Sequence, residues 1–244
     1  MHFISEQLID DNLVERHFTL DGIPGILWMP NNSPEPLPLV LLGLPGGPNG
    51  LEQMHPLCCG GLNKWLRKDS RRQHWNCPAA GFVLGLMNWT KPASNCSARL
   101  SQANRSATTS LIDSSCPWLT KPYRNCRPSW MLCLPCRRSA DLGYSGGVIS
   151  IGVRLAAVDP RVVAAQLFAG SFVPRVIHEQ AQEITIPIHV LLQWDDEFND
   201  RQAALDLYDA FGSAEKTLEA NLGGHRGVPG FAGQGFLARH IGID

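Results

Sequence analysis

One block of the chain, residues 57–140, does not match the rest, and any fold must be built around it. It holds 13 of the 21 Lys and Arg residues but 2 of the 22 Asp and Glu, so it carries +11 against −12 for the remainder. All 8 Cys and five of the 7 Trp lie in it, with a single Val and a single Ile. So few β-branched residues and so unbalanced a charge leave little from which to build paired strands or amphipathic helices.

Three readings of this block stand side by side. It is a Cys-rich metal or disulfide module, a basic nucleic-acid arm, or a stretch translated out of frame. Cys133 and Cys136 have metal-ligand spacing, but a zinc module needs two such pairs and the other cysteines are isolated or adjacent (Cys58, Cys59). Clusters such as Lys64, Arg67, Lys68, Arg71 and Arg72 suit phosphate contacts, yet the flanks read as two halves of one domain. The third reading is favoured by the genetic code. If the intended codons begin at the third base of each written codon, Trp75–Asn76 forces Glu, and His74–Trp75 and Asn76–Cys77 each force Leu. Cys77–Pro78 then gives Pro or Ser and Pro78–Ala79 allows Gly, so the hidden string can read Leu-Glu-Leu-Pro-Gly, a strand end and a turn. Over 112–142 the same shift permits apolar residues at helical spacing with balanced charge, which the written string lacks. On this reading 57–140 is disordered or misfolded as written, and the chain folds poorly and turns over little substrate.

The 244 residues, 44% hydrophobic and 18% charged, suit one large domain, and the net charge of −1 excludes an overall basic surface for nucleic acid. No apolar run is long enough to span a bilayer. The acidic, polar start is not that of a signal peptide, so a cytoplasmic protein is expected.

The flanks alternate strand and helix signals. Residues 16–20 and 26–29 read as a hairpin about Asp21-Gly22. Leu39–Leu42 is a wholly apolar run, as for a strand covered on both faces, and Gly43-Leu-Pro-Gly-Gly47 follows it. Residues 143–147 spell G-x-S-x-G, a tight strand-to-helix turn in which flanking glycines avoid clashes as the backbone doubles back. By itself this motif also describes an ordinary Gly-rich turn. A helix over 148–158, strands over 162–168 and 186–194, a helix over 203–211, a strand over 216–221 and a helix over 231–240 follow. This order predicts an α/β fold with a doubly wound, mostly parallel sheet.

In the stretches HFTLDGIPGILWMP, LVLLGLPGG, GYSGGVISIGVRLAAVDPRV, IPIHVLLQWDDEFNDRQAALDLYDAFGS and GGHRGVP, the chain resembles bacterial α/β-hydrolases of the dienelactone-hydrolase-like group. The resemblance covers most of 16–56 and 141–240, and none of 57–140 as written. It implies a single α/β-hydrolase domain. Residues 16–56 would supply the N-terminal strands and oxyanion loop, and 141–244 the nucleophile elbow through the C-terminal helix.

The resemblance also implies roles. Ser145 is the expected nucleophile, His225 its general base, and Asp196 the acid that orients the imidazole. Asp195 stays open as the alternative acid, although the family's pattern begins at Asp196. The backbone N–H groups of Gly46 and Gly146 are the expected oxyanion hole. The family often has His where this chain has Leu44. Tyr144 and Trp194 either line a pocket or, as we favour, pack in the core; His178, His189 and His240 receive no role. The implied reaction is hydrolysis of a small-molecule carboxylic ester or lactone through an acyl-enzyme. No cofactor, metal, nucleic acid or membrane partner is expected. Two other function classes stay open, a non-catalytic binding protein on the same fold and a Cys-rich zinc-binding insert.

Overall fold

In a computed structural model of the chain, the described residues are 2–10, 13–20, 23–31, 38–43, 55, 81–85 (backbone only), 141–146, 149–168, 170, 173–229, 232–233 and 235–241. Polar turn residues at 11–12 and 21–22 separate three extended runs in the sequence. These runs are β1 (His2–Asp10), β2 (Leu13–Leu20) and β3 (Ile23–Pro30), an antiparallel meander in which Phe18 pairs with Phe3 on one side and Gly25 on the other. β1 is absent from the sequence reading. Its apolar residues are largely exposed (Phe3, Ile4, Leu8, Ile9), so they lack the pattern of a half-buried strand.

The remaining strands are parallel to one another. They are β4 (Leu39–Gly43), β5 (Gly81–Gly85), β6 (Leu142–Gly146), β7 (Val162–Phe168), β8 (Ile188–Gln193) and β9 (Lys216–Asn221). Among the described residues the sheet has nine strands in the order β1-β2-β3-β5-β4-β6-β7-β8-β9. β5 pairs antiparallel with β3 and parallel with β4, which joins the meander to the parallel half. It is the one described stretch inside 57–140. The written residues Gly-Phe-Val-Leu-Gly there contribute a strand that the sequence reading of the block did not include, because three consecutive apolar residues between glycines give no clear period.

Helices cover both faces. α1 (Ile149–Val158), α2 (Arg175–Glu183) and α3 (Arg201–Ala210) pack side by side, each inserting apolar residues into the core: Val153 and Leu155, Ile177 and Ala181, Ala204 and Leu207. α3 begins at Asp200, whose side chain accepts the Ala203 N–H and so satisfies one of the unpaired donors of the first turn. α4 (Phe236–His240) lies against β6 and β7. A Cβ on Gly143 would touch Leu237 and Ile241, whereas the next residue, Tyr144, lies where a Cβ on Gly152 of α1 would go. Successive residues of a strand face opposite sides, so α4 and α1 are on opposite faces. β8 explains its apolar run in the same way: all six of its residues are buried between the two layers.

This topology positions the site. From β4 the chain crosses to β5 on one side, while from β6 it proceeds through α1 to β7 on the other. Connections leaving β4 and β6 therefore diverge, and a crevice opens at the C-terminal ends of these two neighbours, where open α/β sheets take their ligands. Among the described residues no helix is long and apolar enough to cross a membrane.

Candidate active site

Ser145 stands one residue from the end of β6, paired with Leu42 of β4 and Gln166 of β7, and so at the mouth of that crevice. The strand is held there by a close approach of two backbones. A Cβ on Gly146 would lie 2.5 Å from the Gly43 carbonyl oxygen and 2.6 Å from its Cα. No side chain fits, so glycine is required at 146 for contact rather than for unusual dihedrals. Gly152 plays the matching part in α1, where a Cβ would lie 2.5 Å from both Tyr144 and Leu167. The glycines around Ser145 thus let strand, neighbour and helix close up around one turn. Residues 147 and 148 of the turn lie outside the described residues, as do Leu44 and Gly46 of the proposed oxyanion loop.

His225 lies in the loop after β9. Its Nδ1 is 2.8 Å from Asp196 Oδ2. An ionised carboxylate only accepts, so Nδ1 carries the proton and Nε2 is left with its lone pair for a reacting group. The ring is set edge-on between Phe168, at the end of β7, and Phe198, with centroids 5.3 and 5.4 Å away. β7 is the strand next to Ser145, so the imidazole sits over the neighbour of the proposed nucleophile. Among the described residues no hydrogen bond links the Ser145 hydroxyl to the His225 ring, a contact that often tightens only when substrate binds.

Asp196 is itself held at several points. Its Oδ1 accepts the backbone N–H groups of Phe198 (2.9 Å) and Asn199 (3.2 Å), and its Oδ2 accepts Asn199 Nδ2 (2.7 Å). Its side chain is 4% exposed. Burial alone would raise its pKa. The hydrogen bonds from Asn199, His225 and Phe198, with the nearby imidazole, outweigh that and hold it below the usual carboxylate value. Asp195 points elsewhere: it is exposed, and its backbone N–H donates to the Gly223 carbonyl at 3.2 Å.

The loop carrying His225 is tied to the loop carrying Asp196. Glu197 Oε2 accepts the His225 N–H at 3.0 Å, and Gln193, 1% exposed, donates from Nε2 to the Gly224 carbonyl at 3.1 Å. Gly223 has φ = 133°, a conformation that favours glycine, and turns the chain back from β9 toward these partners. Sequence reasoning passed over Asn199, Glu197, Gln193 and the two phenylalanines. Asn199, three residues after Asp196, is the one with a local signal, since a short polar side chain there closes a turn.

Tyr144 is in the core, 1% exposed, and burial pushes its phenol pKa up. Trp194 differs from the core placement favoured from the sequence. It is 40% exposed, because it follows the last residue of β8 at the rim of the sheet, and the Arg201 guanidinium stacks over its ring at 4.3 Å. His189 and His240 lie near Glu219 and Glu215, and His189 is in register with Gln166, the β7 partner of Ser145, two strands from the proposed nucleophile.

Gly146→Ala tests the backbone contact. The new methyl group has to displace the Gly43 backbone, at a cost of about 1–3 kcal/mol. The shift moves Ser145, and a displacement of that order lowers kcat/KM by about 10²-fold. Ester kinetics and urea unfolding on the same variant check both parts.

No family model matches the chain, and no curated protein sequence does. Solved structures do match. A cold-adapted esterase from an Arctic intertidal metagenomic library is 22% identical with a TM-score of 0.63, over 99% of this chain and 100% of that one. A protein assigned as a dienelactone hydrolase from Klebsiella pneumoniae is 14% identical with a TM-score of 0.54, over 88% of each chain. Acetyl xylan esterase 1 from Thermoanaerobacterium is 12% identical with a TM-score of 0.51, over 98% of this chain and 86% of that one. At these identities the likeness speaks to architecture, and it agrees with the strand order and the switch point: the chain has the α/β-hydrolase fold.

Proposed function

We propose that the chain is a serine hydrolase of small-molecule carboxylic esters or lactones, related to the dienelactone-hydrolase-like group and working in the cytoplasm. The observation that carries this reading is the Asp196–His225 hydrogen bond, beside the strand next to the one that bears Ser145. Ser145 Oγ attacks the carbonyl carbon while His225 Nε2 takes its proton. Asp196 keeps the imidazole in the Nδ1–H tautomer and stabilises the imidazolium. The N–H groups of Gly146 and Gly46 receive the oxyanion. His225 returns the proton to the leaving alcohol, and a water activated by the same imidazole releases the acid. The esterases among the similar structures support an ester as the substrate class.

As part of the same reading, 57–140 is a run of misread triplets, of which the written residues 81–85 still pair as a strand. The nucleotide sequence across codons 54–143 tests this, and stop codons in the shifted frame overturn it. That reading also lowers the turnover expected of the chain, so covalent labelling is the first measurement. A fluorophosphonate probe should modify Ser145, and Ser145→Ala should remove the label. Labelling of the alanine variant, or no labelling of a chain restored to the shifted frame, would reject the mechanism. A non-catalytic binder on the same fold would keep its ligand affinity in Ser145→Ala and take no label.

A further inference from the structure

The antiparallel half of the sheet contains a second cluster of chemically capable side chains. Gln7, Glu15 and Trp28 lie directly opposite one another across β1, β2 and β3, and so project from one face. His17, two residues along β2, shares that face. His55 reaches the same place from the chain beyond β4, its ring 6.0 Å from Trp28 and 6.2 Å from His17. All four converge on Glu15, whose side chain is fully buried. Oε1 meets Gln7 Nε2 and His17 Nε2, each at 2.8 Å. Oε2 meets Trp28 Nε1 at 2.6 Å and His55 Nε2 at 2.8 Å.

The arrangement has the form of a metal site with its outer support in place. We propose that Glu15, His17 and His55 bind a divalent transition-metal ion of the zinc or cobalt class. Each carboxylate oxygen is held by one donor from the sheet, the Gln7 amide or the Trp28 indole, and its other lone pair faces an imidazole nitrogen. Such outer hydrogen bonds fix the direction in which a ligating carboxylate presents itself. The three ligand atoms lie within 4.8 Å of one another, and rotation of the two imidazoles about their side-chain bonds brings them to the roughly 3.4 Å that separates donors around a tetrahedral ion. The imidazoles are about one-third exposed, at 37% and 32%, while Glu15 forms the floor, so an ion enters from the solvent side.

A divalent ion replaces both imidazole contacts to the carboxylate at once: each ring's proton passes from Nε2 to Nδ1, which frees the Nε2 lone pair for the ion, and the ion's charge is set against a buried anion. The Gln7 and Trp28 bonds are left intact. The glutamate is an anion already. Burial would raise its pKa, but the hydrogen bonds from His17, His55, Trp28 and Gln7 hold it at about 2. Two imidazoles and one carboxylate suit zinc, cobalt or nickel better than calcium or magnesium, which prefer oxygen alone. No sequence spacing announces this set, because His55 is 40 residues from Glu15.

Cobalt(II) is the probe, because the eight cysteines would compete more strongly for zinc. Added to the chelator-treated full chain, it should bind with visible bands of nitrogen and oxygen coordination and without thiolate charge transfer. His17→Gln and His55→Gln should each weaken this binding at least 10-fold, roughly the loss seen when even a supporting group is removed. The double variant should abolish it. The X-ray absorption edge of the unmodified, cobalt-loaded chain gives a measurement free of folding effects. A nitrogen/oxygen shell near 2.1 Å, roughly the distance seen with zinc, supports the site, and a sulfur shell at about 2.3 Å overturns it. Equal cobalt affinity and spectrum in parent and double variant also overturns it.

Discussion

In the chain restored to the shifted frame, replacing Asp196 by Asn should lower kcat/KM on a simple aryl ester by about 10⁴-fold, while Asp195→Asn should change it by less than about 3-fold. The two residues are adjacent and of the same type, so the contrast isolates geometry. Asp196 Oδ2 receives His225 Nδ1–H at 2.8 Å, and asparagine in its place can turn an NH₂ toward that nitrogen and stabilise the opposite tautomer. Nε2 would then carry a proton and could not take one from Ser145. The fold should survive, because Oδ1 of asparagine still accepts from Phe198 and Asn199. Asp195 takes part through its backbone N–H, which substitution leaves in place. Equal losses in the two variants, or a loss at Asp195 alone, would remove Asp196 from the mechanism.

Trp28→Ala should destabilise the chain by about 4 kcal/mol, read from the urea midpoint. Trp28 is fully buried and its indole donates to Glu15 at 2.6 Å, so truncation opens a large cavity and strips a donor from a buried anion. Trp28→Phe separates the two causes. It keeps much of the packing and loses only the N–H, at a cost of about 1–2 kcal/mol. If Phe proves as damaging as Ala, the hydrogen bond to Glu15 dominates. If Phe is neutral, the carboxylate does not depend on the indole.

The parallel half of the fold was legible because its physics is local. A strand buried on both faces is largely apolar, which marked Leu39–Leu42 and the run over 186–194, observed as Ile188–Gln193. The spans expected at 162–168 and 216–221 coincide with β7 and β9. The helix expected over 231–240 shortens to Phe236–His240, whose N-terminal neighbour Gly235 has φ = 77° and cannot continue a helix backward. α2 was missed. Of its nine residues only Ile177 and Ala181 are buried, and two apolar positions do not make a period. The roles proposed for Ser145 and His225 came from the resemblance, with flanking glycines as the local mark of each turn. The choice of Asp196 over Asp195 depends on which carboxylate turns inward, and that is set by the Asn199 and Phe198 contacts rather than by composition.

The loops that bear Asp196 and His225 are laced together by backbone and side-chain bonds from Trp194 to Asn221, Asp195 to Gly223 and Glu197 to His225. The proton-handling half of the proposed machinery is therefore one preassembled part, its two key residues only 29 positions apart in the chain. Ser145 rides on a separate mount in the middle of the sheet. On the proposed out-of-frame reading, the damaged centre spares the wiring between carboxylate and imidazole and acts on the seat of the hydroxyl, so restoring the proposed activity is a matter of realigning two finished pieces rather than rebuilding either.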